Sequence, residues 1–140
     1  MDPAELARAA GEAMWREDRA SRFLGMTLAE LRPGYARVTM PVTPQMANGQ
    51  DLCHGGLIFS LADSSFGFAC NSRNQRALAA SCSIEFLAPA RIGDTLTAEC
   101  AEQAVAGRTG IYDARVVNQA GELIALFRGK SATVKGKWIE

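Results

Sequence analysis

Between Leu57 and Arg73 the only charged residue is Asp63. A lone carboxylate in an apolar stretch is costly to bury unless it is paired, protonated or used. Eight and seven positions before it stand Gly55 and Gly56, preceded by His54. Two glycines at the start of a helix let another molecule approach backbone N–H groups that carry the helix's partial positive charge. Such donors stabilise the oxyanion formed when a thioester or ester carbonyl is attacked, by roughly 3–4 kcal/mol each. A carboxylate that activates water or attacks an acyl carbon would complete that chemistry. Each feature also has an ordinary reading. The two glycines can be a tight turn, and Asp63 can be held by Ser60, Ser64 or Ser65 or face a solvated interface. His54, the only histidine, has no acidic residue beside it and is read as a hydrogen-bonding residue, not as the base.

The spacing constrains how these groups could cooperate. On one helix, Gly55 and Asp63 are about 12 Å apart along the axis, from a rise of ~1.5 Å per residue. They cannot both touch one carbonyl. If both serve the same carbon, Asp63 must meet Gly55 of a second copy, and a two-fold dimer with antiparallel helices makes two equivalent sites.

The elements that must position these residues follow from periodicity. Asp2 is a helix N-cap before Pro3, and Leu6, Ala9, Ala10, Ala13 and Met14 form one apolar stripe, so residues 3–17 read as a short amphipathic helix. Residues 35–42 alternate as a strand, and residues 43–50 are a polar loop. The run from Gly55 to Ser72 is apolar at 57, 58, 59, 61, 62, 66, 68, 69 and 70. Such a helix, apolar nearly all round, belongs in the interior. Strands follow at about 77–87, 94–104, 109–118 and 122–134, separated by PARIG, AGRT and NQAG, which read as hairpin turns. The expected class is α+β: one domain over residues 1–140, with an antiparallel sheet of five to six strands wrapped on one central helix.

Composition excludes several functions. Fifteen basic and fifteen acidic residues leave no positive excess for nucleic acid. Cys53, Cys70, Cys82 and Cys100 form no CxxC pair, which argues against a zinc site and for small core residues. No stretch approaches a membrane span, and Asp2, Glu5, Arg8 and Glu12 break any leader pattern. A cytoplasmic location is expected.

The pattern N-x5-H-G-G-x6-D, formed by Asn48, His54, Gly55, Gly56 and Asp63, resembles the signature of the hotdog-fold thioesterases. PQMANGQDLCHGG, SLADSSFGFACNS, SIEFLAPARIGDTLTAE and IYDARVVNQAGELIALFRGKS extend the likeness to the phenylacetate-pathway PaaI type, from about residue 20 onward. The resemblance implies dimers with shared active sites that pair again into homotetramers, and hydrolysis of acyl-CoA, with phenylacetyl-CoA or its ring-hydroxylated forms as substrate. No metal or cofactor is implied, since CoA is part of the substrate. It also implies roles: Asp63 as general base or nucleophile, Gly55 as backbone oxyanion donor, Asn48 as the group that orients water or carboxylate, and His54 as loop anchor and substrate contact. Gly56 joins the substrate loop, Ser81 or Ser83 could position water, and Arg91, Arg128 and Lys130 could meet the CoA phosphates. Rival readings are a medium-chain or other acyl-CoA thioesterase, a hydroxyacyl dehydratase and a non-catalytic acyl-CoA binding module. A dehydratase would need a histidine in the central helix, where this chain has Asp63.

Overall fold

The structure, a computed structural model, describes all residues 1–140. Two short helices, α1 (Pro3–Glu17) and α2 (Arg19–Phe23), lead into a hairpin of β1 (Thr27–Arg32) and β2 (Tyr35–Pro41). A loop with one 3-10 turn, Pro44–Met46, then enters the long helix α3 (Gly55–Cys70). The rest is β3 (Ala77–Phe86), β4 (Thr95–Ala106), β5 (Thr109–Val117) and β6 (Leu123–Thr133). All six strands form one antiparallel sheet in the order β1-β2-β4-β5-β6-β3, curled around α3. This is the hotdog arrangement that the resemblance implies, and no helix is long and apolar enough to cross a membrane.

Two features depart from the expectations. The first is β1. Thr27–Arg32 reads TLAELR, rich in good helix formers, so its local preference does not announce a strand. The turn that makes it one is Pro33-Gly34: Gly34 takes φ +73°, as the third position of a type II turn requires, and Arg32 pairs with Tyr35 across it. The strand packs under α1, where a Cβ on Gly11 would overlap the Leu31 Cδ2 methyl, so a larger residue there would have to displace that side chain. The second concerns PARIG. AGRT and NQAG are hairpin turns, with Gly107 and Gly121 at φ +60° and +80°. Residues 87–94, containing PARIG, instead cross from β3 at the sheet edge to β4, passing β6 and β5.

The core is built on one side of α3. Leu61, Ala62, Phe66, Phe68 and Ala69 are buried against Val38, Leu96, Ala98, Val116, Ile124 and Phe127 of the sheet. The Phe66 ring sits 5.6 Å from Tyr112 and 5.8 Å from Phe127, within the range of tilted aromatic packing. The opposite stripe, Gly56, Ser60, Asp63, Ser64 and Gly67, is left only partly covered. α3 is thus less completely enclosed than its apolar content suggests. β3 ends the sheet as a ten-residue edge strand, and Leu78 and Phe86 on it are 62% and 52% exposed.

Candidate active site

The start of α3 is fixed by His54. Its backbone is extended (φ −60°, ψ 131°), and its Nδ1 accepts the Gly56 N–H at 3.0 Å. With Nδ1 accepting, the ring's N–H donor is Nε2. Of the two glycine N–H groups, Gly56's is therefore occupied, while Gly55's donates to nothing within the chain. Asn48 shapes the loop that leads in. Its Oδ1 accepts from Gln50 N at 2.9 Å and Leu52 N at 3.2 Å, leaving its Nδ2 without a partner in the chain. Asp51 takes φ +63° in the resulting tight loop. Asn48 and Gly55 line one cleft of about 330 Å³, roofed by Phe86, whose Cζ would lie 3.2 Å from a Cβ on Gly55.

Asp63 opens onto a different cleft, of about 410 Å³, between α3 and the N-terminal segment. The serines that could have held it are engaged elsewhere. Ser60 Oγ donates to Gly56 O at 2.9 Å, Ser65 Oγ to Ala62 O at 2.7 Å, and Ser64 Oγ is 2.8 Å from Ser21 Oγ. The Asp63 carboxylate accepts no hydrogen bond from the chain. Burial, and then the negative charge of Asp18, push its proton affinity above that of an ordinary carboxylate. Met14, Leu24, Met26, Phe59 and Phe68 give the cleft apolar walls.

The remaining residues singled out by sequence are placed apart. Arg91 is bridged through its backbone to Leu52, which lines the Gly55 cleft, and its backbone N–H donates to Asp94 Oδ2 at 2.8 Å. Ser81 and Ser83 lie opposite Lys130 and Arg128 on neighbouring strands. Because Cys82 and Ile84 pack inward, the flanking serines project from the other face of the sheet, away from α3. Arg128 is held there by a bidentate pair with Asp113, at 2.6 and 2.8 Å, so its charge is already compensated. Lys130 is exposed and forms no ion pair.

Asp63 and Gly55 both belong to the continuous helix α3, so the axial separation of about 12 Å applies. One chain thus holds the Asp63 carboxylate and the free Gly55 N–H in separate clefts. Asp18 and Ser21, which face Asp63 from the α1–α2 junction, escaped the sequence reading. The only local signal was Asp18 three residues before Ser21, a capping pattern.

A family model described as "Thioesterase superfamily" matches residues 50–125, which contain both Gly55 and Asp63. The chain is 47% identical over 124 residues to the Acyl-coenzyme A thioesterase PaaI of Escherichia coli (strain K12), covering 89% of each sequence. The solved structure of the E. coli PaaI protein from the phenylacetic acid degradation operon superimposes with a TM-score of 0.95 at 43% identity, over 97% of this chain and 99% of that one. The smu.793 protein of Streptococcus mutans UA159, solved bound to acetyl CoA, gives a TM-score of 0.76 at 27% identity, over 80% of this chain and 90% of that one.

Proposed function

The chain belongs to the thioesterase superfamily, and from that premise we propose that it hydrolyses phenylacetyl-CoA, or a ring-hydroxylated phenylacetyl-CoA, to the free acid and CoA. The observation that carries this reading is Asp63: a partly buried carboxylate with raised proton affinity and no hydrogen-bond donor from its own chain. Such a group is suited to take a proton from water.

On this reading two copies pair along the exposed β3 edge, where unsatisfied strand groups and apolar side chains favour addition of a second strand. Their α3 helices then run antiparallel, and Asp63 of one copy faces Gly55 of the other. The resemblance extends the assembly to a pair of such dimers. The acyl group enters the apolar cleft beside Asp63, and Asn48 Nδ2 and His54 Nε2–H address the substrate from the Gly55 side. The thioester oxygen accepts from Gly55 N–H. Asp63 takes a proton from water as the water oxygen bonds to the carbonyl carbon. The tetrahedral oxyanion collapses, the C–S bond breaks, and the proton on Asp63 passes to the departing CoA thiolate. No metal or cofactor enters this scheme. Arg91 and Lys130, which form no ion pair, are the cations free to meet a CoA phosphate, whereas Arg128 is paired with Asp113. The four free cysteines accord with a reducing, cytoplasmic setting.

Release of free thiol from phenylacetyl-CoA, followed alongside a panel of aliphatic acyl-CoAs, tests the reading. Turnover with highest kcat/KM on aryl-acetyl substrates supports it. A preference for medium-chain acyl groups would move the substrate assignment, and binding without thiol release would overturn the enzymatic role.

A further inference from the structure

We propose that Asp18 is a positioning residue for Asp63: through Ser21 and Ser64 it anchors the N-terminal segment to α3, and it sets a second, fixed carboxylate in the same cleft. The inference rests on the reading of Asp63 as the base.

The chain of hydrogen bonds has a determined direction. Asp18 ends α1 and caps α2, and it binds Ser21 twice: Oδ1 accepts the backbone N–H at 2.9 Å, and Oδ2 accepts the hydroxyl at 2.7 Å. Ser21 is 2% exposed, and its Oγ lies 2.8 Å from Ser64 Oγ. A hydroxyl has one proton. Since Ser21 gives its proton to Asp18, Ser64 must give its own to Ser21. The proton of Ser64, the residue after Asp63 in α3, is thereby committed to the N-terminal segment. Ser60's goes to Gly56 O.

Asp18 places negative charge in the cleft onto which Asp63 opens, and that charge disfavours the ionised form of Asp63 and makes it a stronger base. Within one chain no cation opposes this. The cleft has no Lys, Arg or His, and the other titratable groups near Asp63 are the thiols of Cys70 on α3 and Cys82 on β3, kept neutral by burial. Asp63 acts when ionised, so activity is lost as pH falls through its raised proton affinity. Removing Asp18's charge extends activity to lower pH.

The experiment is the pH profile of kcat for the full-length protein and two variants. Asp18→Asn keeps a capping oxygen and removes the charge; Ser21→Ala removes the hydroxyl that fixes the Asp18 carboxylate and ties it to Ser64 of α3. The proposal expects the acid limb of both variants to move to lower pH, so that turnover at about pH 5 relative to about pH 8 rises above that of the wild type. An acid limb that stays in place in Asp18→Asn, or a kcat reduced by one factor at every pH, would show a merely structural role and overturn it. If Asp18→Asn does not fold, the Ser21→Ala limb decides in the same way. Failure of the underlying reading looks different: Asp63→Asn would then retain turnover.

Discussion

His54 Nδ1 accepts the Gly56 N–H at 3.0 Å, and Gly55 N–H, one residue earlier, has no acceptor in the chain. The two glycines of one dipeptide are thereby given different work. Gly56 lets the helix cap itself, and Gly55 keeps a free N–H, the oxyanion donor of the proposed mechanism. Proline at Gly55 tests this with little disturbance. It deletes only the N–H, it is favoured at the first helical position, and His54 (φ −60°, ψ 131°) already lies where a residue preceding proline must. An added Cβ would lie 3.2 Å from Phe86 Cζ, so that ring must give by a few tenths of an ångström. We expect Gly55→Pro to lower kcat by about 10²–10³-fold with helix content unchanged by circular dichroism. Undiminished turnover would remove Gly55 from the chemistry.

Asp63→Asn should lower kcat by orders of magnitude and at the same time stabilise the fold. Because burial and Asp18 raise the proton affinity of Asp63, the folded state binds that proton more tightly than the unfolded chain does. Its stabilising effect is present at low pH and is lost as pH rises through the raised value. Replacing the carboxylate by a neutral amide removes that dependence. The Tm advantage of the variant should therefore grow between about pH 4 and pH 8. An advantage independent of pH would mean that Asp63 is not perturbed as described.

Asn48 can be dissected by two substitutions. Asp at this position keeps the oxygen that accepts from Gln50 N and Leu52 N but loses the unpartnered Nδ2 donor. Ala loses both. If Nδ2 addresses the substrate or the attacking water, Asn48→Asp should fall to the level of Asn48→Ala in kcat while keeping wild-type Tm. Recovery of activity in Asn48→Asp would assign Asn48 to loop shape alone.

The fold has its own stringent point where β6 crosses α3. A Cβ on Gly129 would lie 2.8 Å from Phe66 Cε2 and Cζ, and that ring is 1% exposed with nowhere to move. We expect Gly129→Ala to cost roughly 1–3 kcal/mol in urea unfolding, with partial recovery when Phe66→Leu is added. An unchanged midpoint would show that the core can relax there.

Much of the site was legible because it is local. Asn48, His54, Gly55, Gly56 and Asp63 lie within sixteen residues, and helix geometry alone separates Gly55 from Asp63. What stayed hidden depends on contacts between distant segments. Ser21 and Ser64 are 43 positions apart, so no local pattern could show that Asp18 shares the cleft with Asp63. The segment TLAELR becomes β1 because a Pro-Gly turn and packing under α1 override helix-forming residues. Alternation identified β3 and β4 as strands, but strand order is a property of the whole sheet. The crossover at 87–94 therefore read as a hairpin. Ser81 and Ser83 were singled out without knowledge of which face of β3 they occupy, and register with Arg128 and Lys130 supplies it.

The central claim is that Gly55 and Asp63 of different copies serve one carbonyl. Asp63→Asn and Gly55→Pro chains, each inactive alone, should be mixed in equal amounts, unfolded and refolded together, and assayed for thiol release from phenylacetyl-CoA. With shared sites, half the dimers are mixed and each has one intact site of its two, so about a quarter of wild-type activity should return. No recovery from a mixture shown to contain mixed dimers would contradict the account.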